Sequence, residues 1–311
     1  MQLQGCSLLT TDQISSELAS FLFAKADQFA SRSVSSHQPW IEHSARPPLI
    51  AQLFFEPSTR TKTSFQMAGL RLGCQILEVG VGSVSSLSKG ETVSDMFRNI
   101  QAMQPDLLIV RCGDDSELQE LLRQSPIPVI SGGSGTQSHP TQALLDAYTI
   151  RAERGAIQGE RVLICGDIAH SRVARSNADL LSRLGAEIAF CAPSYFMPEK
   201  GDLAYRRFAT IEDGIAWATV IMALRVQSER HIHKPQEYAP ETYRKDFGIT
   251  ADRLNHFMIE GIILHPGPVN WDVELASTVA RDPRWRALQQ VKNGVYVRAA
   301  LITGILGLGD T

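Results

Sequence analysis

Short apolar runs alternate with helical patterns along most of the chain, and this alternation restricts the fold more than any other feature. The runs cover 49–55, 75–79, 106–110, 128–130, 161–165, 187–191 and 218–224. Helical patterns stand between several of them, as where Phe65, Ala68 and Leu72 follow the first run at helical spacing. Strands that alternate with helices form parallel sheets covered on both faces, so the sequence predicts an α/β fold.

The alternation occurs twice, and the chain has 311 residues. A single hydrophobic core stops growing near ~250–300 residues. We therefore predict two α/β domains, each a mainly parallel β-sheet flanked by helices, with the active site in the interdomain cleft. The first domain is predicted to span 1–137 and to be completed by a C-terminal helix at 292–311, and the second to span 138–291. The segment Gly132–Gly135 is typical of a loop that crosses between two such units.

Composition excludes several classes of protein. The formal net charge is −3, which argues against a broad basic surface for nucleic acid. No apolar run approaches the roughly 18 residues that a membrane span requires. None of the five cysteines forms a C-x-x-C pair, so neither a zinc site nor a disulfide framework is indicated, and we predict a reduced, cytoplasmic protein. No His, Asp and Glu cluster has ligand spacing, so no metal or cofactor is implied.

The segment 54–64, FFEPSTRTKTS, leaves a predicted strand and enters a predicted helix. Ser58, Thr59 and Thr61 offer hydroxyls beside the backbone N–H groups of the helix start, and Arg60 adds a charged fork. A single Ser-Thr pair would be explained by helix capping. Three hydroxyls, an arginine and a lysine so close together favour a phosphate site instead. The chain lacks G-x-x-x-x-G-K-[ST], so the segment is not a nucleotide P-loop and its ligand is predicted to be small.

This phosphate motif closely resembles the carbamoyl-phosphate signature of the aspartate and ornithine carbamoyltransferases. Further family motifs follow in the family's order: SSLSKGE at 85–91, VR at 110–111, HPTQ at 139–142, HSRVARSN at 170–177, RVQ at 225–227 and HPGP at 265–268. A chance motif would not reproduce that order, and the resemblance covers essentially the whole chain. It implies that the first predicted domain binds carbamoyl phosphate and that the second binds the acceptor.

The resemblance also implies roles for individual residues. Carbamoyl phosphate would be bound by Ser58, Thr59, Arg60, Thr61, Arg111, His139 and Gln142, together with Ser85 and Lys89 from a neighbouring subunit. The catalytic residues among them would be Arg60, Thr61, Arg111 and His139. Ser86 is an alternative to Ser85. The shared site implies a homotrimer. The resemblance also allows a larger assembly, in which two such trimers associate with regulatory chains or with a dihydroorotase. Without the resemblance, a single histidine is more often structural and a loop lysine is usually solvated.

A dicarboxylate acceptor requires two cationic groups with separate geometry. The resemblance assigns its recognition to Lys89, Arg172, Arg225, Gln227, Gly267 and Pro268. Without the resemblance, the residue types alone are equally consistent with two arginines in ordinary surface ion pairs. The ornithine branch usually has H-C-L-P where this chain has His265-Pro266-Gly267-Pro268, which favours aspartate. The implied reaction transfers the carbamoyl group to L-aspartate, giving N-carbamoyl-L-aspartate and phosphate, an early step of pyrimidine biosynthesis.

The sequence also bears on two other functions. A transcarbamoylase for ornithine should meet its cationic acceptor with carboxylates, and Arg172 and Arg225 argue against that. An inactive paralogue that serves as a scaffold should have lost site residues, but the principal ones are present. The chain departs from the family pattern at Lys62, where arginine is more usual, at Ser228, where lysine is common, and at Trp271-Asp272, where Arg-Gly is usual. We expect little effect from Lys62.

Overall fold

The structure, a computed structural model, describes residues 3–32, 38–43, 46–81, 86–135, 137–199, 205–226, 240–257 and 260–309, without the side chain of Ser86. The chain divides into two compact units. The first unit comprises Met1–Tyr148 and Val291–Thr311, and the second comprises Thr149–Gln290. No helix in the described ranges is long and apolar enough to cross a membrane.

The described residues contain the following regular elements. The strands are β1 (Leu49–Phe54), β2 (Gln75–Val79), β3 (Leu107–Cys112), β4 (Val129–Ser134), β5 (Arg161–Cys165), β6 (Glu187–Cys191), β7 (Arg206–Arg207), β8 (Val220–Ala223) and β9 (Ile262–Leu264). The helices are α1 (Ser16–Ala30), α2 (Thr59–Arg71), α3 (Val93–Ala102), α4 (Ser116–Arg123), α5 (Pro140–Arg154), α6 (Arg172–Arg183), α7 (Ile211–Trp217), α8 (Pro240–Phe247), α9 (Ala251–Phe257) and α10 (Ala287–Leu306). Short 3-10 helices occupy Thr11–Gln13, Ser86–Lys89, Ser194–Phe196 and Ser277–Arg281.

The first unit is built on a parallel four-stranded sheet with the order β2-β1-β3-β4. Alternate residues of the central strands, among them Leu53 and Val110, pack with Phe97 of α3 and Leu118 of α4 in one buried cluster. The opposite face of β1 is buried as well, since Ile50 is fully inaccessible. Burial on both faces explains why these strands read as continuous apolar runs in the sequence.

The second unit is built on a parallel five-stranded sheet with the order β7-β6-β5-β8-β9. One face of it joins helices α7 and α9 in a second buried cluster that includes Leu163, Ile221, Ile215 and Leu254. The predicted α/β class, with two parallel sheets flanked by helices, is therefore confirmed.

Two details of the sequence prediction are wrong. The glycine-rich segment Gly132–Gly135 is not wholly a loop, because β4 continues through Ser134, which pairs with Cys112 after a register shift in β3. Glycine is needed in the strand here, since a Cβ on Gly132 would lie 3.3 Å from Arg111 and Phe54 carbons. The last helix begins at Ala287 rather than near 292–295. Its polar first turns weakened the apolar pattern from which the start was predicted.

Candidate active site

The phosphate motif forms the start of α2, directly after β1. Ser58 is the residue before the helix, and its side chain makes no capping hydrogen bond. Capping by its side chain therefore does not account for this serine. Thr59 and Arg60 are exposed there, whereas Thr61 is buried. A helix start whose N-cap side chain makes no capping bond, with its dipole and an exposed arginine, is suited to an anion.

Thr61 lies next to His139, although the two are 78 positions apart. Thr61 Oγ1 is 3.5 Å from His139 Nε2, and both side chains are buried. His139 directly precedes α5, and its carbonyl accepts hydrogen bonds from the N–H groups of Gln142 and Ala143. The fold thus brings the phosphate motif and the HPTQ motif into contact within the first unit.

Gln142 is held by the next turn of its own helix. Its Nε2 donates to Asp146 Oδ1 at 2.9 Å, which fixes the orientation of the side-chain amide. Asp146 is fully buried and attracts the charge of Arg298 on α10. Burial lowers the pKa of Arg298 to about 10, and the Asp146 charge acts in the opposite direction. The carboxylate therefore serves both the predicted site residue and a buried arginine.

Arg298 connects the two helices that carry the motifs of the first unit. Its guanidinium donates to Ser64 Oγ on α2 at 2.9 Å and reaches Thr141 Oγ1 on α5 at 3.5 Å. It also lies 5.0 Å from the centre of the Phe65 ring. No sequence motif pointed to Arg298 or Asp146, because an arginine within an apolar helical pattern carries no local signature.

Arg111, near the end of β3, is turned toward the loop that leads into the phosphate motif. Its Nε is 3.3 Å from Glu56 Oε2, and one terminal nitrogen donates to the Gly132 carbonyl at 3.1 Å. The Arg111 carbonyl accepts the Phe55 N–H at 2.9 Å. The carboxyl ends of β1, β3 and β4 thus meet at one sheet edge, which is where ligands bind in open α/β sheets.

Lys62 lies outside this group. It pairs with Glu78 on β2, and Gln66 donates to the same carboxylate at 2.8 Å. These hydrogen bonds, the Lys62 bond first, lower the pKa of Glu78. Lys89 ends a short 3-10 helix and is exposed. Ser85 lies outside the described residues.

In the second unit, Arg172 is the first residue of α6, which follows β5. Ser171 caps that helix by accepting the Ala174 N–H at 3.2 Å. The preceding turn is held by the fully buried Asp167, whose Oδ1 is 2.8 Å from His170 Nδ1 and 3.3 Å from the His170 nitrogen of the backbone. The position of Arg172 thus depends on a carboxylate that sequence reasoning missed.

Arg225 stands two residues beyond β8 and is half-buried. The exits of β5 and β8 lie against each other, since a Cβ on Gly166 would be 2.2 Å from the Leu224 carbonyl oxygen. Gly166 also has φ +113°, which side chains rarely adopt. The two predicted arginines therefore follow neighbouring strand ends. Gln227 lies outside the described residues.

Gly267 and Pro268 lie in the loop after β9, and the peptide bond between them is cis. The Gly267 N–H donates to His265 Nδ1 at 2.8 Å. Strands β5, β8 and β9 are parallel neighbours, so this loop leaves the same sheet edge as the residues after β5 and β8. Arg172, Arg225 and the Gly267–Pro268 loop thus follow strands that end at one sheet edge of the second unit, whereas Lys89, also predicted for the acceptor, lies in the first unit.

Two family models match the chain, one after the other. Residues 7–152 match the family model described as aspartate/ornithine carbamoyltransferase, carbamoyl-P binding domain. Residues 158–305 match the model described as aspartate/ornithine carbamoyltransferase, Asp/Orn binding domain.

Individual relatives are similar over nearly the whole chain. The aspartate carbamoyltransferase catalytic subunit of Helicobacter pylori is 41% identical over 306 residues, which covers 96% of this chain and 97% of that protein. The subunit of Sorangium cellulosum is 43% identical over 260 residues, with 83% and 80% covered. A solved structure of Trypanosoma cruzi aspartate transcarbamoylase with carbamoyl phosphate and aspartate has a TM-score of 0.87 at 28% identity, covering 98% of both chains.

Proposed function

Since the chain belongs to the aspartate/ornithine carbamoyltransferase family, we propose that it transfers the carbamoyl group of carbamoyl phosphate to L-aspartate. The products are N-carbamoyl-L-aspartate and phosphate, as in an early step of pyrimidine biosynthesis. The observation that carries the proposal is the contact of Thr61 with His139, because it joins two family motifs 78 positions apart. The relatives named as aspartate enzymes support the choice of acceptor.

For the donor, we assign the phosphate group to the start of α2. The amides of its first turn, the hydroxyls of Ser58 and Thr59, and the Arg60 guanidinium would neutralise the phosphate. The buried pair Thr61 and His139, together with Arg111, would donate to the carbamoyl oxygen. Donors preorganised around a developing oxyanion are worth about 2.7–4 kcal/mol each in other enzymes. Gln142, oriented by Asp146, would contact the same carbamoyl group.

The chemical step requires no protein nucleophile. The aspartate amine attacks the carbamoyl carbon, the bond from that carbon to the phosphate oxygen breaks, and the departing phosphate accepts the amine proton. The protein then contributes orientation and charge stabilisation. In this proposal the first compact unit, Met1–Tyr148 with Val291–Thr311, binds carbamoyl phosphate, and the second, Thr149–Gln290, binds aspartate.

For the acceptor, we assign Arg172 and Arg225 to the two carboxylates and the Gly267–Pro268 loop to the amino group. The support is that these residues follow the neighbouring strands β5, β8 and β9. Gln227 keeps its predicted role on sequence grounds. Ornithine would require anionic groups where these two arginines stand, and a scaffold protein would have no need of the buried contacts at Thr61 and His139.

We also propose a cytoplasmic homotrimer in which Lys89 and Ser85 reach the site of a neighbouring subunit. The exposure of Lys89 supports this, as does the name catalytic subunit that the relatives carry. Mixing inactive Arg60→Ala and Lys89→Ala proteins under conditions that exchange subunits tests it. A shared site restores up to about a quarter of the wild-type activity, because one site in four receives both intact residues. No recovery, with exchange shown by mass, contradicts sharing.

The reaction itself is tested with the purified chain and carbamoyl phosphate, with aspartate and ornithine offered as parallel acceptors. Formation of carbamoyl aspartate that collapses in Arg60→Ala and in Arg225→Ala supports both half-sites. Lys245→Ala, an exposed cation on α8, is the matched control and is expected to keep full activity. Activity with ornithine alone contradicts the acceptor assignment, and none with either supports the scaffold alternative.

A further inference from the structure

One buried carboxylate in the second unit accepts hydrogen bonds from both segments that carry the proposed acceptor residues. Glu274 is 2% exposed. Its Oε1 accepts the Asn270 N–H at 2.6 Å, and its Oε2 accepts the Val226 N–H at 3.4 Å. Val226 directly follows Arg225, and Asn270 closes the loop that contains Gly267 and Pro268. Neither the family motifs nor the sequence pattern singled out Glu274.

The third group that faces this carboxylate is His265, whose Nε2 lies 3.3 Å from Glu274 Oε1. The other ring nitrogen, Nδ1, accepts the Gly267 N–H at 2.8 Å. Since Nδ1 is an acceptor, the ring proton must lie on Nε2, which then donates to Glu274. The ring is thus neutral, with both nitrogens used, and it connects the carboxylate to the Gly267 backbone.

A second hydrogen bond connects the same two segments directly. Asn270 Nδ2 donates to the Val226 carbonyl at 2.9 Å, so the backbone of Val226 is held through both its N–H and its C=O. The His265 N–H is also fixed, because it donates to Gln290 Oε1 at 2.9 Å. The exit of β8 and the loop after β9 are therefore held to each other through Glu274 and Asn270.

From this geometry we propose that Glu274 is a positioning residue for the acceptor: it holds Arg225 and the Gly267–Pro268 loop in the one arrangement that receives aspartate. The inference rests on the proposed function and deepens it. Glu274 acts through the backbones of Val226, Asn270 and Gly267. Deep burial is costly for a carboxylate unless several donors satisfy it, and here three donors do so.

The substitution Glu274→Gln tests this without changing the size of the side chain. Among the described residues, the three groups that hydrogen-bond to Glu274 are all donors, whereas glutamine offers one oxygen and an NH₂ group. One donor must then face another, so Arg225 and the loop lose their common anchor. We expect the KM for aspartate to rise about tenfold or more, equivalent to ~1.4 kcal/mol or more. The affinity for carbamoyl phosphate, measured without aspartate, should stay within about twofold.

A matched control is Glu160→Gln in the same unit. Glu160 accepts hydrogen bonds from Arg154 at 3.2 Å and from Thr219 at 2.6 Å, at the opposite ends of the strands. Glu160→Gln likewise removes the charge of a carboxylate that accepts hydrogen bonds within this unit, so thermal stability should fall while the KM for aspartate stays unchanged. Binding of succinate, which keeps both carboxylates but cannot react, separates acceptor binding from turnover. Succinate should bind Glu274→Gln weakly and Glu160→Gln normally.

Asn270→Ala provides a second test if Glu274→Gln does not fold. It removes the link to the Val226 carbonyl but leaves the carboxylate, so the KM for aspartate should rise by a smaller factor. An aspartate KM within twofold of wild type in either folded variant overturns the inference, as does an equal loss of carbamoyl-phosphate affinity. Failure of the proposed function is a different result, since the wild-type chain would then not carbamoylate aspartate.

Discussion

Arg298 on α10 donates a hydrogen bond to Ser64 on α2 across 234 positions of sequence, at 2.9 Å. The same guanidinium reaches Thr141 and is attracted by the buried Asp146. A side chain far from any family motif thus holds together the two helices that begin with the phosphate motif and the HPTQ motif. The geometry of the donor half-site depends on it.

Arg298→Ala should lower the free energy of unfolding by about 3–5 kcal/mol, since it removes the buried cation that attracts the Asp146 charge and its hydrogen bond to Ser64. The folded-state pKa of Arg298, about 10, lies below the ordinary 12.5, so burial disfavours its charged form. The free-energy cost of burying the charged guanidinium therefore lowers stability fully at every pH below about 10, and it decreases only as the pH rises above that value. Urea unfolding at pH 7 measures the change. Arg298→Lys, which keeps the charge but not the fork, should have a stability between those of wild type and Arg298→Ala. Wild-type stability in Arg298→Lys would contradict a role for the fork, and a loss equal to that of Arg298→Ala would contradict a separate contribution of the charge.

Two neighbouring cations on α2 should differ sharply in their effect on activity. Lys62 pairs with Glu78 and is 33% exposed, whereas Arg60 stands in the first turn of the helix. Lys62→Ala is expected to change kcat/KM for carbamoyl phosphate less than threefold and stability by about 0.2–1 kcal/mol. Arg60→Ala should reduce kcat/KM by roughly a hundredfold or more. Similar losses in the two variants would show that Lys62 also binds substrate.

Asp106 should make stability depend on pH. Burial acts to raise its pKa, but bonds from Arg46 at 2.7 and 2.8 Å and from the Leu49 N–H outweigh burial and lower the pKa below 3.8. The stabilisation is therefore complete above about pH 3.8 and is lost as the pH falls through the lowered pKa. Asp106→Asn should cost about 1–2 kcal/mol at pH 7, with the difference shrinking toward pH 3.

Denaturant midpoints of wild type and Asp106→Asn across that pH range measure the effect. The control is Asp179→Asn, which breaks an exposed pair with Arg183 one helical turn away and should cost less than about 0.5 kcal/mol. If the difference in stability between wild type and Asp106→Asn stays constant with pH, the ionisation of Asp106 does not contribute to stability and the prediction is wrong.

Asp272 occupies a backbone conformation that favours glycine. Its φ is +63°, and the family resemblance leads us to expect glycine there. The side chain offsets the strain by accepting the Ser277 N–H at 3.1 Å and lying 3.5 Å from Arg244. Asp272→Gly should thus alter stability by no more than about 0.5 kcal/mol, whereas Asp272→Val should cost about 1–2 kcal/mol. Thermal melting compares the two variants. An equal loss of stability in both would show that the lost contacts of the Asp272 side chain, and not backbone strain, cause the change.

The sequence predicted the parts of the fold that local pattern determines. Strands such as β1 and β5 were found because burial on both faces makes them continuous apolar runs. The extension of β4 through Gly132 and Gly133 was missed, since glycine in a strand reads as a turn until its neighbours Arg111 and Phe54 are known.

The residues of the candidate site were likewise predicted only in part. Residues to which the family resemblance assigns substrate contacts, such as Gln142 and Arg225, were named from motifs. The carboxylates that orient them, Asp146 and Glu274, were not, because each acts through partners that are distant in sequence or through backbone N–H groups. A pattern of residue types does not record which buried acid faces which donor, so only the fold reveals such groups.

The first compact unit is interrupted in sequence, because its last helix, α10, follows the whole of the second unit. During synthesis the second unit must therefore leave the ribosome before the first unit can be completed. Until Arg298 emerges, its hydrogen bonds to Ser64 and Thr141 cannot form, so α2 and α5 are not yet held together by it. The nascent chain thus cannot complete the donor half-site proposed above until α10 has left the exit tunnel.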